Sequence, residues 1–160
     1  MGNREGEALR ILWLDPGVKS GVCLFNTDTL KVELFAIIPG GLKGFQEWWE
    51  TDGSSFSRTP YDVLGCESFE LEEGTHGVDL TPVAIIGYLK SLGLPITWQR
   101  RNQRGKGKLI HISVLKRAGL YPKRGELKEG HQVAALQHLL AYLVRIRHRP
   151  TIELLHPKGE

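Results

Sequence analysis

The fold is decided by residues 11–25, which read ILWLDPGVKSGVCLF. Two short apolar runs, 11–14 and 21–25, flank the turn-forming pair Pro16-Gly17, a pattern that predicts two adjacent antiparallel strands. Turn-forming residues follow at 26–30, and residues 31–38 form a third, roughly alternating run that Pro39 ends. The opening of the chain is therefore predicted to be a three-stranded meander.

The rest of the chain alternates between strand and helix patterns. Residues 61–66 predict a fourth strand that ends at Glu67, Thr81-Pro82 opens a helix that runs through residue 92, and residues 94–99 predict a fifth strand. Two further helices are expected at about 109–118 and about 129–147, the last one stopped by Pro150. This order predicts an α/β fold with helices layered on one mixed sheet, in a single domain spanning residues 1–160.

The composition is that of a globular domain. The 160 residues are 41% hydrophobic and 24% charged, which excludes a disordered or fibrous chain. No apolar run approaches the roughly 18 residues needed to span a bilayer, and the charged start of the chain is unlike a signal peptide, so we expect a cytoplasmic protein. Two cysteines, Cys23 and Cys66, are too few for a disulfide framework or a four-ligand zinc site, and we expect two buried thiols.

Basic residues are concentrated in one segment. The net charge is only +3, yet residues 98–124 contain nine Lys or Arg and no Asp or Glu. Such a local excess should attract a polyanion, most commonly a nucleic-acid backbone, although a solvated loop without a ligand is an equally ordinary explanation. Within this segment, a glycine-spaced loop carries the residues that we expect to contact phosphates: Arg100, Arg101, Arg104, Lys106 and Lys108.

Asp15 and Glu67 each stand where an apolar strand ends. If strands one and four are parallel neighbours, the two carboxylates converge at the sheet edge where ligands of such folds bind. Converging carboxylates favour a hard cation, Mg²⁺ or Mn²⁺, and two such ions can activate a water and stabilise the leaving oxygen in phosphodiester hydrolysis. Two simpler explanations stay open, because Asp15 can cap the turn that follows it and Glu67 can pair with a lysine.

Four motifs, in order along the chain, resemble the RuvC family, and in particular the short phage-type Holliday junction resolvases of the RNase H-like superfamily. They are the stretch 11–22 around Asp15, the stretch 63–69 (VLGCESF) around Glu67, Thr81-Pro82 with Ile86-Gly87, and Gly130-His131 with Ala135, His138 and the apolar run 139–144. Together they extend from about residue 10 to residue 147, which is nearly the whole chain and would be the core of the nuclease domain.

The resemblance implies a five-stranded mixed sheet flanked by helices, a two-metal acidic site, and a homodimer that acts on branched DNA. Asp15 and Glu67 match the family's acidic residues on the first and fourth strands. His131 matches a histidine that some members carry on the last helix, where it would help to bind metal or stabilise the scissile phosphate. Phe69 resembles an aromatic residue placed near the junction centre, where stacking on a base contributes about 1–3 kcal/mol, although an ordinary buried Phe fits equally. A phage-encoded resolvase would work in the host cytoplasm.

The sequence departs from the family at Ala134, because the pattern has an aspartate three residues after the histidine. On a helical wheel Ala134 shares a polar stripe with His131 and His138, and we expect His138 at the surface or behind the site. A missing metal ligand should weaken binding of at least one ion and slow or abolish cleavage. Alternatively nothing is demanded at this position, since alanine is the best helix former.

The leading hypothesis is therefore a structure-selective DNA endonuclease that cleaves four-way junctions with Mg²⁺ or Mn²⁺ and is impaired in this chain by Ala134. A non-catalytic branched-DNA binding protein of the same fold is the alternative. A nuclease that acts on RNA paired with DNA is a third hypothesis that the sequence leaves open.

Overall fold

A five-stranded sheet organises the described part of the chain. The computed structural model describes residues 9–53, 61–68, 79–100, 110–122 and 131–158. Five strands form the sheet in the order β3-β2-β1-β4-β5: β1 Arg10–Asp15, β2 Ser20–Asn26, β3 Lys31–Ile38, β4 Val63–Ser68 and β5 Thr97–Arg100. The first three strands pair antiparallel, whereas β4 is parallel to β1 and β5 is parallel to β4. The predicted meander and mixed sheet are confirmed, and the strands that carry Asp15 and Glu67 are neighbours.

Helices cover both faces of the sheet. They are α1 Gly41–Trp48, which continues into a π-helical turn at Trp49–Gly53, α2 Thr81–Ser91, α3 Ile112–Arg117, α4 His131–Arg145 and α5 Arg149–Leu155. The buried side chains of α1 and α2 pack with Leu12 and Leu14 on one face, and those of α3, α4 and α5 pack with Ile11 and Trp13 on the other. Because β1 contributes to two cores, successive side chains are all apolar, which explains the unbroken run at residues 11–14.

The helix predicted at about 129–147 is present as α4, but the prediction that Pro150 stops it is wrong. α4 ends at Arg145, Arg147 adopts a left-handed conformation with a φ of 60°, and a separate helix, α5, begins at Arg149. Pro150 stands in the first turn of α5, where an N–H has no partner within the helix. This proline therefore begins a helix instead of ending one. Residues 129 and 130 lie outside the described residues.

Candidate metal centre

The carboxyl ends of β1 and β4 bring two acidic side chains together. Their parallel pairing places Leu14 beside Cys66, so Asp15 and Glu67 follow side by side at the end of the ladder. Side chains two apart along a strand share a face, and the residues two positions earlier are Trp13, which packs in the α4 core, and Gly65, which lies against its ring. Both carboxylates therefore face α4.

α4 supplies a third polar side chain to this position. His138 Nε2 lies 2.9 Å from Glu67 Oε2, a distance at which an imidazole N–H donates to a carboxylate, and 3.8 Å from Asp15 Oδ1. The His138 side chain is 6% exposed, whereas those of Asp15 and Glu67 keep 18% and 15%. The cluster is closed on the helix side and open to solvent along the carboxylates.

Packing of α4 fixes the rotation that aims His138 at the strands. Leu136, Leu139, Leu140 and Leu143 are buried, so the helix can present His138 to the sheet only at this register. One turn further along, the Tyr142 ring lies 5.3 Å, centroid to centroid, from the ring of Trp13. The aromatic contact and the histidine therefore dock the same side of the helix on β1.

Of the two predicted places for His138, the surface is wrong, because its side chain is buried. A place behind the site agrees with its contacts to both carboxylates. Ala134 stands one turn earlier on the same side of α4 and is half-buried. The sequence offered one signal for His138 as a site residue: it is polar and stands one helical turn after Ala134, where the aspartate was expected. Only the docking register of α4 on the sheet shows which of the two positions meets the carboxylates.

Several predicted site residues are not described by the structure. His131 is the first residue of α4, but its side chain lies outside the described part of the chain. Arg100 is the exposed last residue of β5, two strands from Asp15 at the same edge of the sheet. The remaining DNA-contact predictions fall outside the described residues: Phe69, Arg101, Arg104, Lys106 and Lys108.

The three side chains have the chemistry and spacing of a cation site. Ligand atoms of Asp15, Glu67 and His138 all lie within 4.8 Å of one another. Atoms that bind one ion at about 2.1 Å stand about 3 Å apart, so small rotations of these side chains would suffice. Two carboxylate oxygens suit Mg²⁺ and Mn²⁺ alike, whereas an imidazole nitrogen favours the transition metal. The donor set fits one Mn²⁺ better than one Mg²⁺.

Cys66, which precedes Glu67, takes no part in this chemistry. Burial raises the pKa of its thiol well above the usual value, and the negative charge of Asp15 raises it further. The thiol stays neutral and lies 3.5 Å from the Glu67 carbonyl oxygen. Since the thiolate is the form that binds metals and attacks electrophiles, Cys66 is inert. Both cysteines are buried free thiols, as predicted.

Two solved structures share this architecture. T. thermophilus RuvC in complex with Holliday junction substrate matches with a TM-score of 0.62 and 11% sequence identity, over 88% of this chain and 96% of that one. A second Thermus thermophilus RuvC structure matches with a TM-score of 0.55 and 12% identity, over 86% and 96%. No protein-family model matches the sequence, and no curated protein matches it either.

Membrane-spanning helices are not found in the part of the chain that the structure describes, since none of its helices is long and apolar enough.

At 11% and 12% identity, the likeness to RuvC concerns the fold. The chain therefore has the fold of RuvC, a five-stranded mixed sheet of the RNase H-like type with flanking helices, and places Asp15, Glu67 and His138 together at one edge of it.

Proposed function

We propose that this protein is a metal-dependent, structure-selective DNA endonuclease that cleaves four-way junctions. The observation that carries the proposal is the convergence of Asp15, Glu67 and His138 at the carboxyl edge of the sheet. The fold adds support, because one of the matching RuvC structures is a complex with a Holliday junction substrate.

Asp15, Glu67 and His138 would hold a divalent cation, with Mn²⁺ preferred to Mg²⁺. When bound, such an ion lowers the pKa of a coordinated water and offsets charge on the scissile phosphate. The partly exposed carboxylates leave the ligand position accessible to a backbone phosphate, while the nearly enclosed His138 fixes its inner side. To bind metal through Nε2, His138 would carry its ring proton on Nδ1 instead of sharing it with Glu67.

The basic segment at residues 98–124 would hold the substrate. Arg100 of that segment is exposed at the end of β5, beside the strand that carries Glu67, and this position supports a phosphate contact. Arginine contacts to phosphate fix the position of a duplex without reading its sequence. This matches an enzyme that selects a branched shape. Arg101, Arg104, Lys106, Lys108 and Phe69 keep their proposed DNA contacts as predictions.

A homodimer is part of the proposal, and the outer face of α2 supports it. Leu80 and Val83 are 57% and 36% exposed, Ala84 is exposed, and nothing lies within 4 Å of a Cβ added at Gly87. These apolar and small side chains allow the helix of a second copy to approach closely. A two-fold dimer would place two sites on a junction whose arms are themselves related by a two-fold axis.

Ala134 is the reason that we propose a low rate of DNA cleavage for this chain. With Asp15, Glu67 and His138 as ligands, the site has donors for one ion, whereas an aspartate at position 134 would add an anionic ligand one turn along α4. We therefore expect slow cleavage from this chain. The same alanine is the observation that favours the second candidate function, a branched-DNA binding protein without hydrolysis.

The test compares the chain with Ala134→Asp and with Asp15→Asn on a labelled four-way junction, a linear duplex and an RNA–DNA hybrid. Binding is measured in EDTA, and cleavage is measured in Mg²⁺ and in Mn²⁺. We expect preferential binding of the junction by all three proteins, slow cleavage by the wild type that is faster in Mn²⁺, faster cleavage by Ala134→Asp, and none by Asp15→Asn.

Three results would count against the proposal. Equal affinity for junction and duplex would remove structure selectivity, and preferred cleavage of the hybrid would make the protein a nuclease of RNA paired with DNA. Selective junction binding without cleavage by either the wild type or Ala134→Asp would establish the binding protein instead. Asp15 and Glu67 would then lose their proposed roles.

A further inference from the structure

A buried amide side chain lies next to the proposed metal ligands. Gln99 on β5 is fully buried, and its Nε2 donates a 3.1 Å hydrogen bond to the main-chain oxygen of His138. In the parallel pairing of β4 with β5, Gln99 is the register partner of Glu67. Residue 138 is thus held by two adjacent strands, through its imidazole by Glu67 and through its carbonyl by Gln99.

The hydrogen bonding of the Gln99 side chain indicates that it orients α4 and contributes little to stability. In an α-helix the His138 carbonyl already accepts a bond from the amide four residues further on, so Gln99 occupies its second lone pair. Gln99 Oε1 is buried and has no hydrogen-bond partner among the described residues, and burying an unpaired amide oxygen costs free energy. An apolar side chain would fill the same space without that cost. The glutamine therefore adds a directional restraint on α4 more than it adds stability.

We propose that Gln99 is a positioning residue, which holds His138 at the distance from Glu67 and Asp15 that cation binding requires; this inference rests on the proposed metal centre. Without the bond to the His138 carbonyl, α4 can slide or rotate by a fraction of an ångström against β4. Groups that orient metal ligands typically change metal affinity about 10- to 100-fold when they are removed.

Gln137 provides a matched control on the same helix. Its Nε2 donates a 2.7 Å bond to the main-chain oxygen of Ile110, so it also joins α4 to a neighbouring segment through a glutamine amide. That bond runs to the chain before α3 and not to the strands that carry the proposed ligands. Gln137→Met should therefore loosen the fold to a similar degree and leave the cluster in place.

The experiment measures two properties of the full chain for wild type, Gln99→Met and Gln137→Met. Isothermal titration calorimetry gives the Mn²⁺ affinity of each protein. Long-range ¹H–¹⁵N spectra in EDTA give the imidazole signal of His138, assigned by its loss in His138→Gln. We expect Gln99→Met to bind Mn²⁺ about 10- to 100-fold more weakly and to shift the imidazole signal, while Gln137→Met changes neither. Melting temperatures test whether each variant is folded.

A folded Gln99→Met protein with unchanged Mn²⁺ affinity and an unchanged imidazole signal would overturn the proposal. So would equal losses of affinity in Gln99→Met and Gln137→Met, since both would then report general loosening of α4. If Gln99→Met does not fold, Gln99→Asn, which withdraws the amide by one methylene, is expected to show the same losses. If the wild type binds no Mn²⁺, the proposed function fails, and the imidazole signal in EDTA still decides whether Gln99 positions His138.

Discussion

Gly65 is the residue whose replacement should most clearly reveal how the two site strands are held together. It stands on β4 against the indole of Trp13 on β1, and each of these residues precedes a site carboxylate by two positions. We predict that Gly65→Ala lowers the free energy of unfolding by about 2 kcal/mol. The added methyl group should also push β1 and β4 apart, and this movement should displace Asp15 relative to Glu67.

The magnitude follows from the space around Gly65. A methyl group added there would lie 2.8 Å from Trp13 Cδ2 and closer still to Cε3 and Cζ3, whereas ordinary contacts begin at 3.4 Å. The indole is fully buried and meets the Tyr142 ring, so it has little room to recede. Contacts this short with a buried ring place the cost of overpacking near the upper end of its usual range, about 3 kcal/mol, and removing a strand glycine returns about 0.5–1 kcal/mol. For a chain of this length a net loss of about 2 kcal/mol corresponds to about 4–8 °C in Tm.

Urea denaturation followed by circular dichroism measures this loss, and the double variant Trp13→Leu/Gly65→Ala identifies its cause. The Trp13→Leu substitution removes the three ring atoms that lie nearest to the new methyl group, so the two substitutions should couple by at least about 1 kcal/mol. If the effects of the single variants instead add within about 0.5 kcal/mol, the contact between Trp13 and Gly65 does not cause the loss and the reasoning is refuted.

Three further predictions concern the surface and pH. Ala84→Glu, which puts a carboxylate on the exposed apolar face of α2, should convert the proposed dimer into a monomer in sedimentation experiments, and a variant that stays dimeric would contradict an interface on this face. Arg100→Gln should reduce the magnitude of the slope of log affinity for a junction against log salt concentration by about 1. An unchanged slope would show that Arg100 does not contact a phosphate. Burial lowers the pKa of His148 below its usual 6.5, so the unfolded chain binds the proton more readily and stability should fall as the pH drops below that value. His148→Gln should then show a smaller fall in Tm between neutral pH and about pH 5 than the wild type, and an equal fall would assign the effect to other groups.

The strands and their topology were largely readable from the sequence, since their signals are local. The apolar runs at 11–14 and 21–25 and the turn between them predict β1 and β2 directly, and the structure places both in the sheet. Pro150 misled the prediction because a proline is compatible both with the end of one helix and with the first turn of the next. The left-handed Arg147, which separates α4 from α5, has no glycine to mark it.

The candidate site was only half predictable. Asp15 and Glu67 were found because each ends an apolar strand, and their meeting required only that the two strands be parallel neighbours. His138 and Gln99 could not be assigned in this way. Their places depend on how α4 docks on the sheet, and that docking is set by the combined packing of its leucines and Tyr142. Such packing has no signature in the sequence around His138 or Gln99.

The wide separation of Asp15, Glu67 and His138 along the chain has a consequence for folding. The three residues lie on the first strand, the fourth strand and the fourth helix, and loops of about 50 and about 70 residues separate them. A cation held by all three would therefore act as a reversible cross-link that closes both loops, and it would bind the native state but not the unfolded chain. Metal occupancy would report the integrity of the whole domain, since the ligand set exists only after its last large element has docked.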